Sequence, residues 1–187
     1  MAFEVFLQYL KLGFSHVIPL GFDHILFILT LFFLNSKMKT VVLQCSVFTV
    51  AHSLSLGLCA SGLILPNSNI IEALIALSIL FTAIENIVQN KINPWRIGII
   101  FGFGLIHGMG FANALSAIGL PKNQFLTSLL SFNLGVEIGQ ISIILGAYFL
   151  ISKRFSDKIW YKNRIVYPIS SLIACVALYW TIERILL

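Results

Sequence analysis

The chain reads as all-α, a polytopic transmembrane helix bundle of about six spans with an N-terminal interfacial helix, in a single domain over 1–187. Three observations predict this. Hydrophobic residues make up 58% of the 187 residues and charged residues only 10%, at a mean hydropathy of +0.96, whereas a water-facing surface alone wants about 25–35% charged residues. The apolar residues gather into six stretches, approximately 21–35, 40–62, 70–88, 97–118, 125–152 and 165–186. Most of these can cross about 30 Å of hydrocarbon at about 1.5 Å per residue. Finally, the connectors are short and hold most of the basic residues.

Residues 3–18 are apolar, with Glu4, Gln8 and Lys11 spaced along them. This predicts a helix that lies in the interface or packs against the bundle. The start, MAFEVFLQYLKLGF, lacks a basic n-region and a small-residue cleavage site, so a removable signal peptide is not expected. Pro19 and Gly21 separate this helix from the short first span. The connectors after spans one, three and five hold Lys37, Lys39, Lys91, Arg96, Lys153, Arg154, Lys158, Lys162 and Arg164, against Lys11, Lys122 and Arg184 on the other side. The positive-inside rule then predicts cytoplasmic odd connectors and extracytoplasmic termini. That role accounts for the pI near 9.3 without any nucleic-acid partner. Cys45, Cys59 and Cys175 lie scattered in apolar segments and form no CxxC pair, so they read as small core residues.

The polar residues inside the spans carry the chemistry, because a charge in hydrocarbon costs at least about 2.5–3.5 kcal/mol. Asp23 and His24 open span one, with His16 just before them. Thr49, His52 and Ser53 fall within one turn of span two, which puts His52 about 18 Å in from the cytoplasmic end. Span three carries Ser78, Thr82, Glu85 and Asn86; Glu85 sits near its cytoplasmic end, where Lys91 or Arg96 can pair with it. Span four, FGFGLIHGMGFA, places His107 about 15 Å deep. There Gly104 and Gly108 form a small-xxx-small pair for close helix packing, and the glycines leave room beside His107. Span five aligns Asn133, Glu137 and Gln140 on one face, which must look at a partner helix and not at lipid. Glu72 and Glu183 lie near span ends and read as interfacial. Imidazole plus carboxylate is a ligand set for first-row transition metals. The expected arrangement is an outer capture set of His16, Asp23 and His24, with His52, His107, Asn133 and Glu137 deeper.

The segments GFDHILFILTLFF, FTVAHSLSLGL, IEALIALSILFTAIEN, FGFGLIHGMGFANAL and FNLGVEIGQ resemble, in order, those of the HupE/UreJ family of bacterial membrane proteins. The resemblance covers roughly 14–145. It implies a nickel, or sometimes cobalt, permease associated with hydrogenase or urease maturation. The family's first motif, a His, a short spacer and Asp-His, matches His16, Asp23 and His24; its second matches His107 and Gly108. The spacer here is six residues, against five in hydrogenase-linked members, and in a continuous helix one extra residue turns His16 by about 100°. No acid follows the second motif between 108 and 136, and Glu137 on the next span is available for that part.

Three function classes compete. The first is a secondary permease that carries a divalent transition-metal ion, nickel foremost, with Ser53, Glu85, Asn86, Gly108, Asn133 and Gln140 in support. No nucleotide-binding motif is present, and the membrane potential, about 2.3 kcal/mol per charge per 100 mV, favours entry of a dication. The second is a membrane-embedded zinc hydrolase, with three histidines and an open position on the metal, Asp23 or Glu137 as general base and Ser53 as a polarising group. HExxH and GxSxG are both absent. The third is a non-catalytic assembly factor whose polar residues only join helices. The partners expected are the metal ion and the lipid bilayer; a homo-oligomer is compatible with the sequence.

Overall fold

The computed structural model describes residues 2–34, 37–89, 93–118 and 122–186, with the backbone alone for 2, 113, 114, 116–118 and 122. Every regular element described is helical. The main helices are α1 (Ala2–Val17), α2 (Phe22–Leu34), α3 (Met38–Ala60), α4 (Ser68–Val88), α5 (Arg96–Ile118) and α6 (Phe125–Ala147). The α6 rod runs on through a π turn, Tyr148–Ser152, into the three-residue α7 (Lys153–Phe155); a second π turn, Lys162–Val166, leads into α8 (Tyr167–Leu186). Asn67 caps α4, its side chain accepting from the main-chain N–H groups of Asn69 at 3.1 Å and Ile70 at 3.4 Å.

Four runs are long and apolar enough to cross a membrane: Met38–Ala60, Ser68–Val88, Phe125–Phe155 and Lys162–Leu186. Residues Phe3–Val17 and Phe22–Leu34 pass that test together as a pair bent by 68°, and Arg96–Ala112 is a shorter apolar helix. With the bent pair as one broken span and α5 as another, the protein agrees with the sequence reading of about six spans.

Helices pair through backbone approach. On α5, a side chain at Gly104 or Gly108 would strike Phe48 or His52 of α3, so the two helices run parallel and in register. This is the close contact that the small-xxx-small pair predicted. The same device joins α1 to α6: Gly13 meets the Phe132 carbonyl, Gly135 meets Leu10 and Gly139 meets Val17. α4 and α8 run antiparallel, tied by Glu72 to Arg184 at one end and Asn86 to Ser170 at the other.

The α1–α6 contact decides between the two expectations for the stretch 3–18: the helix packs against the bundle. Its thirteen-residue successor α2 reaches only about 20 Å, too short to cross hydrocarbon alone. α1 and α2 pass the length and hydropathy test only as a pair, and α1 packs along α6. The break at 18–21 is compact: Ile18 N–H reaches Phe14 O at 2.8 Å, Leu20 N–H reaches Ser15 O at 3.2 Å, and Gly21 sits so close to the His16 carbonyl that any side chain there would collide with it. Non-helical backbone is tolerated at membrane depth only where protein or a cavity covers it, and a cavity lies against this break.

Candidate metal centre

His16 is the penultimate residue of α1 and His24 the third of α2, so the broken span delivers both to one place. His52 comes from mid-α3 and His107 from mid-α5. Ring centroids lie 4.6 Å apart for His16–His24, 6.0 Å for His16–His52, 5.8 Å for His24–His52 and 5.3 Å for His24–His107. One nitrogen each from His16, His24 and His52 falls within 4.8 Å of the other two, a separation that a single ion can bridge. His24, His52 and His107 are buried.

This corrects the two-level expectation. There is no outer capture set above a separate deep set; His16, Asp23 and His24 lie beside His52 and His107. The cause is the break. Counting residues along an unbroken first span sets Asp23 and His24 apart from the deeper histidines, whereas the 68° bend between α1 and α2 turns His16 toward His52 and His24 toward His107. The break also removes the spacer problem, since His16 and His24 are not on one continuous helix and their rings meet despite six intervening residues.

Hydrogen bonds orient three of the rings. Nδ1 of His24 faces Asp23 Oδ1 at 3.0 Å, Nδ1 of His52 faces Asn133 Oδ1 at 3.2 Å, and Nδ1 of His107 faces the Phe103 carbonyl at 2.9 Å. Each of these partners is an acceptor, so each Nδ1 carries the hydrogen and each Nε2 keeps its lone pair. Asn133 is itself held, with Nδ2 donating to Leu129 O at 2.8 Å, which turns its oxygen toward His52. Nε2 is buried and without a hydrogen-bond partner on all four histidines. Buried polar atoms normally find partners. Four unpartnered Nε2 atoms in neighbouring rings, three of the rings held from behind by acceptors at Nδ1, form the pattern of metal-ligating imidazoles with their outer supports.

A cavity of about 240 Å³ adjoins the cluster, lined by His16, Asp23, His24, His107, Gly110 and Phe111, with Glu72 and Arg184 at its rim. Glu72 is exposed and Arg184 partly so, and their side chains approach to 3.8 Å. Phenylalanines wall the other sides. Phe111 lies 3.9 Å from His16, Phe48 lies 4.9 Å from His107, Phe27 lies 5.2 Å from His107, and Phe132 stacks on His52 at 6.5 Å.

The remaining site candidates fall elsewhere. Glu137 accepts from Ser46 at 2.7 Å and Thr49 at 2.5 Å, on the turn of α6 after Asn133. Gln140 faces Thr49 at 3.2 Å. The Asn133–Glu137–Gln140 face thus looks at α3. Ser53 donates to the Thr49 carbonyl of its own helix at 2.7 Å. Glu85 pairs with the buried Arg96, one of the two partners the sequence offered; Lys91 lies outside the described residues. Asn86 donates to Thr30 O at 2.9 Å and Ser170 Oγ at 3.2 Å. Gly108 serves the α3–α5 contact, and Gly110 is the glycine that gives the cavity room. Sequence reasoning missed the aromatic wall and the rim residue Arg184. Phe48 and Phe111 stand four residues from His52 and His107 respectively, the helical spacing that could have suggested them.

Residues 1–184 match the family model described as HupE / UreJ protein, and the chain belongs to that family. No curated protein and no solved structure matches.

Proposed function

We propose that this HupE/UreJ protein is a secondary permease for a divalent transition-metal ion, nickel foremost, which it binds through the four histidine Nε2 atoms. The family is associated with nickel and cobalt transport. The observation that carries the reading is the convergence of His16, His24 and His52, one nitrogen each within 4.8 Å of the other two, with the His107 ring 5.3 Å from that of His24 and Nε2 of all four histidines buried without a partner. Imidazole suits nickel, copper, zinc and iron, and geometry and availability select among them. Asp23 does not face the metal in this reading. It holds the His24 ring through Nδ1 and brings the one carboxylate charge into the centre. The ion enters past Glu72 and Arg184, which stand at the cavity rim. Beyond His52, the α3–α6 seam continues with Asn133, Thr49, Glu137, Gln140 and Ser46, a polar track down the bundle. With the odd connectors cytoplasmic, the rim faces outward in the inner membrane, and a dication moving inward gains about 4.6 kcal/mol per 100 mV.

One observation favours the zinc hydrolase as a second reading: His16, His24 and His52 converge as a three-histidine set beside an open cavity, as catalytic zinc requires. The bases and hydroxyls that it needs are otherwise engaged, Asp23 with His24, Glu137 with Ser46 and Thr49, and Ser53 with Thr49 O.

The test is uptake of labelled nickel, cobalt and zinc into proteoliposomes under an inside-negative potential. Uptake by the wild type and loss of uptake in His52→Ala and His107→Ala, with both variants still inserted, are the expected results. No uptake of any of the three, together with metal-dependent ester or amide cleavage, would replace the permease with the hydrolase.

A further inference from the structure

One turn beyond the His52–Asn133 contact, five side-chain oxygens meet on the α3–α6 seam. Ser46 Oγ lies 2.7 Å from Glu137 Oε1, Thr49 Oγ1 lies 2.5 Å from Glu137 Oε2, and the same Thr49 Oγ1 lies 3.2 Å from Gln140 Oε1. The two hydroxyls bring two hydrogens. Ser46 gives one to Oε1. Thr49 has one hydrogen for two acceptors, so with Gln140 Oε1 toward Thr49 the row Glu137 Oε2–Thr49 Oγ1–Gln140 Oε1 is one hydrogen short, beside a carboxylate that no Lys or Arg among the described residues is seen to pair. Gln140 is fully buried, with its amide nitrogen unpartnered. Hydrogen-bond accounting normally closes at such a place.

We propose that this node binds a monovalent cation, a proton or sodium, and that occupancy of the node opposes occupancy of the histidine site. A proton on Glu137 Oε2 completes the row: Glu137 donates to Thr49, and Thr49 donates to Gln140. Sodium completes it with the hydroxyl lone pairs turned inward, and an all-oxygen shell suits a hard cation as imidazole suits the transition metal. Thr49 stands three residues before His52 on α3, and Glu137 stands four after Asn133 on α6. The two sites are therefore neighbouring rungs between the same helices, and cations on adjacent rungs away from bulk water repel. The ionisable groups seen to face α6 from its neighbours are Cys45 and His52 on α3, and Tyr9, Lys11 and His16 on α1. As a binding site the node stands on its own geometry; as a coupling site it rests on the permease reading.

The experiment uses the full chain, stripped of metal, in lipid nanodiscs. Equilibrium binding of radiolabelled sodium reads one arm. Infrared difference spectroscopy of the carboxyl stretch across a pH change reads the other. One bound sodium per chain, or one carboxyl band, that disappears in Glu137→Gln is the expected result, and it identifies the cation. Gln140→Met, which keeps the carboxylate and removes the amide, should weaken the same signal and serves where Glu137→Gln does not fold. Calorimetric nickel titration then reads the linkage: raising the cation should weaken nickel binding by the factor by which nickel weakens the cation, and in Glu137→Gln nickel affinity should stay within about threefold of the cation-free wild type. The proposal is overturned if neither arm gives a signal dependent on Glu137, in which case Gln140 turns its amide nitrogen to Thr49 and the row needs no cation. It is equally overturned if Glu137→Gln abolishes nickel binding, which makes Glu137 part of the metal site. A wild type that binds no nickel would strike the function proposed above and not the node, since both cation arms are read without nickel.

Discussion

Two of the polar regions inside this bundle, the surroundings of α4 and the histidine centre, are built differently. Where α4 meets α2, α5 and α8, the groups bond one another across helices: Thr30 donates to Thr82 at 2.8 Å, Asn86 donates to Thr30 O and Ser170, and Glu85 pairs with Arg96. At the histidine centre the side chains approach one another without bonding, and the hydrogen bonds run behind them, to Asp23, Asn133 and Phe103 O. In the first region the Glu85 carboxylate is neutralised by Arg96, so no charge is left for an ion; in the second, Asp23 brings a carboxylate that faces only an imidazole. In the first region the bonds point inward on one another and join helices; in the second they point away from a shared centre and leave it free for a ligand.

Substitutions can break this contrast, and the largest effect belongs to the joining region. Glu85→Gln should lower stability by about 3–5 kcal/mol, because it leaves the Arg96 guanidinium buried without its counter-charge. The double variant Glu85→Leu/Arg96→Leu should recover most of that, while nickel affinity holds in both. Unfolding in mild detergent, monitored beside metal titration, checks the pair; a loss of nickel binding in the folded double variant would merge the two regions. Next, His24→Ala or His52→Ala should weaken metal binding by about 100-fold or more, since each removes a direct ligand from the set, with the folded fraction unchanged in size-exclusion profiles. Asn133→Leu should come third, at about tenfold in affinity, because the His52 ring then loses the acceptor that fixes its tautomer. Asn133→Asp, which keeps an acceptor at the same place, should restore most of that loss. The smallest effect should be Thr82→Val, about 0.6 kcal/mol of stability by the usual size of a membrane hydrogen bond, with no change in metal binding.

The sequence showed the class and the ligands more clearly than their arrangement. Hydropathy located the spans because lipid imposes one condition on every residue that faces it. The four histidines stood out because imidazole is rare in such segments. Two things stayed hidden. The break after Val17 is visible as Pro19 and Gly21, but nothing local to those residues reports what packs beside it; that comes from α1 lying along α6 by way of Gly13, Gly135 and Gly139. The separation of Glu137 from the histidines was hidden for a similar reason. Periodicity put Asn133 and Glu137 on one face, but only the register between α3 and α6 decides that Asn133 meets His52 while Glu137 meets Thr49.

The break between α1 and α2 also bears on how such a chain can change length. An unbroken helix passes every insertion on as a rotation of all that follows, so a ligand on it tolerates no drift in the count of residues before its partner. Here His16 and His24 are held by separate helices, each anchored through its own neighbours, and the residues between them form a turn. A lineage can gain or lose a residue in that turn and leave both imidazoles where they were, provided a glycine still sits against the His16 carbonyl, where no side chain fits.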